Sequence, residues 1–257
     1  DLKSFRKYLD NHYDEVKDDL RLIEYEYSVD PLIYTKDATG KIAKLNPSNL
    51  FTSLVGDNSI LSSYSKFSSV YVQYAKENLA NDMDVVAGRL PEKYNEMVIY
   101  LNSPSQIPDL LTYSLGFHDT KELADIVKKM MSGEKVEIKR NPLELTYDEL
   151  MDVDLRLIYS PDTYKYNEKY SVYEDMSEDE SFMKSAYQNA EKLKIVGIVT
   201  AKPGMLSGGS GVIYLPELVT HVIEKSANSE IVKKQLDNPE VDIFSNRKFG
   251  EKENDFN

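Results

Sequence analysis

Leu2, Phe5, Leu9, Tyr13, Val16 and Leu20 recur at steps of three and four, with Lys, Asp and Glu between them. That spacing puts them on one face and predicts an amphipathic helix from Leu2 to Leu20. The period then drops to two. Tyr25, Tyr27 and Val29 alternate with Glu24, Glu26 and Ser28, which predicts a half-buried strand. Pro31 to Asn46 reads as a hairpin turning at Asp37-Ala38-Thr39-Gly40. Positions 49–66, rich in Ser and Asn, read as irregular. Val70–Leu79 reads as a polar-interrupted helix, with Val70-Tyr71-Val72 equally able to open a strand. Asp84–Ala87 and Met97–Leu101 read as strands on either side of Gly88-Arg89-Leu90-Pro91.

Between 103 and 189 the character shifts. Asp119 and Glu122 have capping-box spacing, and Leu123, Ile126, Val127 and Met130 form a helical stripe that Gly133 ends. Val136–Arg140 and Asp154–Ser160 read as strands. Tyr164–Tyr173 is dense in tyrosine, an acidic run follows from Glu174 to Glu180, and Ser181–Leu193 reads as a helix. Lys194–Thr200 is a β-branched run suited to a buried strand. A glycine-rich turn (Gly204 to Gly211) leads to a strand at Val212–Leu215, and Pro216 stands where a helix begins, with Leu218, Val219, Val222 and Ile223 as its apolar face. Ser229–Leu236 reads as a further helix and Val241–Phe244 as a last strand, with a frayed polar tail after Phe249. No internal repeat is present.

Composition narrows the function classes. The 257 residues are 41% hydrophobic, enough for a sizeable core, while 11 glycines and 10 prolines argue against a low-complexity stalk. A net charge of -13 repels phosphate backbones and argues against nucleic acid as a partner. The absence of cysteine excludes disulfides, thiolate metal sites and cysteine nucleophiles. The longest apolar runs, such as Ile195–Val199, are far shorter than the roughly 20 residues that cross a bilayer. The chain begins at Asp1 without Met and so reads as a piece of a longer polypeptide, in which missing export signals say little.

The familiar catalytic patterns are missing. His12, His118 and His221 are far apart and none lies in a zinc-hydrolase motif, so they read as surface or core-edge residues. Ser210, in Gly208-Gly209-Ser210-Gly211, lacks the second glycine of a nucleophile elbow because position 212 is Val, and a flexible turn is the better reading. The acidic run has neither the alternation nor the central glycine of a calcium loop and reads as solvated. With 44 acids, carboxylate pairs are plentiful, but the sequence singles out none for a hydrolase. The 19 tyrosines suit recognition surfaces, and they suit ordinary core-edge packing better.

Several segments resemble the extracytoplasmic domain of FtsX-like ABC-transporter permeases, the group that includes the MacB periplasmic core domain. Val85 to Ile99 carries Gly88-Arg89-Leu90-Pro91 and Asn95-Glu96, similar to a family stretch in which a strand turns at Gly-Arg and re-enters the sheet after Asn-Glu. Leu193–Val199 and Gly211–Tyr214 resemble later landmarks of the family, and Gln235–Phe244 is similar to the segment preceding the second membrane helix in its large Gram-positive members. The resemblance implies an α+β fold of two lobes with mixed sheets and packed helices. One lobe would be built from both chain ends (1–100 and 190–257) and an inserted lobe from 101–189. It further implies a non-catalytic domain at the extracellular face of the cell membrane, without cofactor, metal or catalytic residues. Its partners would be cytoplasmic ABC ATPase subunits, a second permease copy, and an external ligand such as a peptide, lipoprotein, antibiotic or cell-wall factor. The two chain ends should then emerge on one side, within about 30 Å of each other. Arg89 and Glu96 are expected to face one another across their turn. The alternative is a free-standing extracellular ligand-binding lipoprotein, which calls for a closed pocket of roughly 300–1,000 Å³.

Overall fold

The longest strand, β9 (Glu191–Ala201), organises the molecule. The computed structural model describes residues 2–20, 22–46, 70–119, 144–203 and 209–250, together with 122, 125, 129 and 132. Along one edge β9 pairs in parallel with β5 (Glu96–Tyr100). Two further strands pair with it in succession: β6 (Leu155–Leu157) takes Glu191–Leu193, and β4 (Met83–Gly88) takes Gly197–Ala201, both antiparallel. Beyond β6 the sheet continues through β1 (Ile33–Lys36) to β2 (Ile42–Asn46). Beyond β5 it continues through β10 (Gly211–Tyr214) to β3 (Tyr71–Gln73). These eight strands form one mixed sheet, and with its packed helices the protein is α+β.

Alternation along the central strands divides the core between two faces. Met97, Ile99, Ile195, Ile198, Val212 and Tyr214 point to one face. There they meet Leu218, Val219 and Val222 of α7 (Pro216–Ala227), Leu111 of α4 (Asp109–Ser114) and Leu150 of α5 (Tyr147–Met151). Val98, Tyr100, Val199 and Ile213 point to the other face, under Leu79 of α3 (Lys76–Asp82). A third cluster joins Tyr34 and Ile158 to Met183 and Tyr187 of α6 (Glu180–Asn189). Each fully buried aliphatic side chain contributes about 1.5–3 kcal/mol of transfer free energy. The segment expected as an inserted lobe shares the largest cluster: Leu101, Leu111, Leu150 and Leu155 pack with Ile33, Leu45, Met97 and Leu193. The pairing of β6 with both β1 and β9 has the same effect, and nothing in the periodicity of 101–189 announces it.

Most local readings hold. The hairpin of β1 and β2 turns as expected, with Asp37 Oδ1 accepting from the Thr39 and Lys41 amides and Gly40 at φ 81°. Pro216 opens α7, and Ser229 caps α8 (Glu230–Asp237) by accepting from the Val232 amide. Three readings are corrected. The opening helix breaks at His12 into α1 (Leu2–Asn11) and α2 (Tyr13–Val16). Residues 24–29 form no strand; their side chains turn instead to α1 and to Gln73. The helix from 181 stops at Asn189, because Ala190 is already extended (ψ 153°) and Leu193 belongs to β9. The tyrosine-rich stretch forms the hairpin of β7 (Tyr164–Asn167) and β8 (Val172–Asp175), and the final expected strand is the short β11 (Val241–Asp242), paired with β12 (Arg247–Lys248). The irregular segment at 49–66, the helical stripe at 123–130, the strand at 136–140 and most of the 204–211 turn lie outside the described residues. Glu122, Asp125 and Lys129 are described and are helical.

Candidate functional site

Residues 89–95 carry the chain from β4 across β9 to β5. The Arg89 amide donates to the Val196 carbonyl (2.9 Å), and the Lys194 amide donates to the Asn95 carbonyl (2.9 Å), so the connection is bonded to β9 at both ends. Arg89 and Glu96 meet across it as expected: Nη1 to Oε2 is 2.8 Å and Nη2 to Oε1 is 2.6 Å. The Glu92 amide also donates to Glu96 Oε2 (2.8 Å). The Arg89 hydrogen bonds, with help from these amides, outweigh the effect of burial and pull the Glu96 carboxyl down from 4.5 to about 2. A carboxyl depressed in the folded state stabilises above its unfolded value and loses that contribution as pH falls through its folded value. Acid titration is therefore expected to cost stability between pH 4.5 and about 2, and Glu96→Gln should flatten that part of a chemical-denaturation profile.

Next to this crossing, four side chains from four segments converge. Glu191 opens β9, Tyr94 ends the crossing, Tyr159 follows β6, and His221 lies on α7. Tyr94 OH donates to Glu191 Oε1 and Tyr159 OH to Oε2, each at 2.6 Å. His221 Nε2 lies 2.9 Å from Tyr159 OH and 3.2 Å from Glu191 Oε2, which fits the tautomer that carries its proton on Nε2. The His221 ring stacks on Tyr94 with centroids 4.0 Å apart. Partial burial pushes the Glu191 carboxyl up, but the donors from Tyr159, Tyr94 and His221 prevail and leave it below the usual range. The hydrogen bond to Glu191 pushes Tyr94 up to about 12, and burial followed by the same carboxylate raises Tyr159. Glu191 thus stays ionised and both phenols stay protonated at neutral pH, the forms that these hydrogen bonds require. The cluster ties α7 and the loop after β6 to the start of β9, and it works as a polar staple.

No family model matches the chain, nor does any curated protein or solved structure. Its residues therefore carry the reading alone.

The other residues singled out by sequence are dispersed. His12 Nδ1 bonds the Tyr8 carbonyl (2.8 Å), and His118 bonds Thr112 Oγ1 (3.0 Å) and stacks on Tyr113. Ser210 Oγ accepts from the Asn102 amide (3.0 Å), a turn contact. In the acidic run Glu174 accepts from Asn167, Asp175 accepts from the Ser177 amide, and Asp179 caps α6 through the Phe182 amide. Among the described residues no group of three or more His, Asp or Glu side chains is placed to hold a metal. An open concavity of about 460 Å³ lies over Asp148, Glu149, Met151 and Asp152, unlike the closed pocket that a small-molecule receptor calls for.

Several of the described tyrosines serve as core-edge residues with a hydrogen-bonding tip. Tyr71 OH donates to the Ser114 carbonyl (2.8 Å), Tyr74 to Asp82 (3.0 Å) and Tyr187 to the Asp154 carbonyl (2.7 Å). Arg156 completes that last site with a fork onto Asp154. Sequence reasoning missed the staple because Tyr94, Tyr159, Glu191 and His221 lie 30 or more residues apart. Only the topology brings them together.

Proposed function

We propose that this chain is a non-catalytic extracellular domain of an FtsX-like ABC-transporter permease. In that role it couples an external ligand or partner, such as a peptide, lipoprotein, antibiotic or cell-wall factor, to cytoplasmic ATPase subunits. One observation carries the reading. Three of the four resembling segments, 85–99, 193–199 and 211–214, fold into the adjacent strands β4, β9, β5 and β10, while the fourth, 235–244, spans the end of α8 and the short β11. The Arg89–Glu96 pair holds the turn that the resemblance turns on. The staple at Glu191 supports a structural role for these four residues, because the carboxylate is held by donors from three different segments.

A domain strung between two membrane helices brings its ends to one side. With no native cysteine, nitroxide labels at Ser4→Cys and Lys248→Cys report on those ends alone. Pulsed electron resonance should give a main separation below about 30 Å, the span that neighbouring helices allow with splay. A distribution centred at twice that distance would remove the reading.

A further inference from the structure

The amphipathic helix α1 is attached to the protein by the wrong side. In a soluble domain the apolar stripe faces the core and the polar face meets water. Here Arg6 and Asp10, on the polar face, make contacts with Tyr25 and Tyr27. Arg6 Nη1 bonds Tyr27 OH, its guanidinium lies 4.6 Å from the Tyr25 ring centroid, and Tyr25 OH donates to Asp10 Oδ1 (2.9 Å). At 3.6 residues per turn, Leu2, Phe5, Tyr8 and Leu9 fall in an arc of about 120° beside that docking edge. This arc is left largely open: Leu2 is 86%, Phe5 58% and Tyr8 56% exposed, Leu9 is half-buried, and no residue of α1 is fully buried. Tyr13, at 47% exposure, continues the stripe into α2.

Charge indicates what covers it. The chain carries a net charge of -13, yet α1 holds Lys3, Arg6 and Lys7 against the single acid Asp10. Acids return in the following turns, at Asp14, Glu15, Asp18 and Asp19. An apolar arc rich in Leu, Phe and Tyr, flanked by Lys and Arg, is the pattern of helices that lie in the headgroup region of anionic bilayers. A second copy of this acidic chain would add repulsion, whereas an anionic lipid surface matches the local charge. We infer that α1 docks its apolar arc on an anionic phospholipid bilayer, with the acidic turns after Asp10 angled away from the surface.

The inference deepens the membrane-proximal reading above and rests on it only for placing a bilayer within reach. The chain has no tryptophan, so Phe5→Trp supplies a unique fluorophore on the arc, and Tyr170→Trp on the β7–β8 hairpin supplies a reporter away from it. Mixed with vesicles of phosphatidylglycerol and phosphatidylcholine at low salt, the Phe5→Trp protein should shift its emission to the blue, and the Tyr170→Trp protein should not. Partitioning should be on the order of tenfold weaker on pure phosphatidylcholine vesicles, or after Lys3→Glu with Lys7→Glu. No residue of α1 is buried, so these variants should keep the unfolding midpoint of the parent. Three results would overturn the inference: no shift with anionic vesicles, an equal shift from both reporters, or a lipid-free shift that grows with protein concentration alongside a dimer in sedimentation. Vesicle binding is read on the isolated chain and the distance between its ends in solution, so either result can fail without the other.

Discussion

Gly197→Ala is expected to lower the midpoint of thermal unfolding by about 10 °C, equivalent to roughly 3 kcal/mol. Gly197 lies under the crossing connection, where β9 carries an irregularity: Met97 pairs with Ile195, but the next residue, Val98, pairs with Gly197. A Cβ at this position would fall inside the van der Waals envelope of the Arg89 carbonyl oxygen, 2.9 Å from the Arg89 amide nitrogen and 3.0 Å from the Ala87 oxygen. All three are backbone atoms, of β4 and of the crossing bonded to β9, so no side chain can swing aside to make room. Gly88, paired with Gly197, is constrained as well, at φ 68°. Gly209→Ala is the control, because nothing lies within 4 Å of its Cβ position. It should leave the midpoint within a degree or two of the parent, or raise it slightly by restricting the unfolded chain. A Gly197→Ala protein that melts with the parent would mean that the crossing does not press on β9.

Ile198→Ala is expected to cost about 3–4 kcal/mol in urea unfolding, near the middle of the range for buried aliphatic truncations. Ile198 is fully buried and packs in the cluster that α7 covers, while its neighbour Val199 packs on the opposite face under Leu79. Its surroundings are strands bonded on both sides, with Ile99 and Ala87 as register partners. Such surroundings relax little into a void, which keeps the cavity penalty high. The midpoint should fall while the slope of free energy against urea stays constant, the behaviour of a stability change without a change in exposed surface. A loss below about 1 kcal/mol would mean that the α7 face refills the space, and that the packing at the middle of β9 is looser than its burial suggests.

The contrast between these two positions bears on what the residues alone reveal. The run Lys194–Thr200 announced a buried strand through its β-branched side chains, and the strand is there. Its alternation is broken at Gly197, so Ile195 and Ile198, three apart, reach the same face. A pattern of period two cannot register such a slip, because the slip comes from a segment about 100 residues earlier passing over the strand. The Arg89–Glu96 pair was legible because both residues flank a single turn, where a short chain fixes who meets whom. The staple at Glu191 was invisible for the opposite reason: its members come from segments whose adjacency depends on sheet order. The opening helix was legible as amphipathic, but the direction of its apolar face was not. Periodicity gives the existence of a stripe and is silent on which side the rest of the protein occupies. The false strand at 24–29 is a related case, with its tyrosines alternating and meeting the polar edge of α1 instead of a neighbouring strand.

The sharing of β9 has a mechanical side. A strand whose opening residues are bonded to one group of neighbours and whose closing residues are bonded to another acts as a common axle. Torque applied where α6 sits enters β9 directly through Ala190 and passes on to β4 and β5 through ladder hydrogen bonds. No flexible linker joins the two groups of strands at that point, so bending one against the other would require breaking ladder hydrogen bonds. The two groups of strands are thus built to turn together.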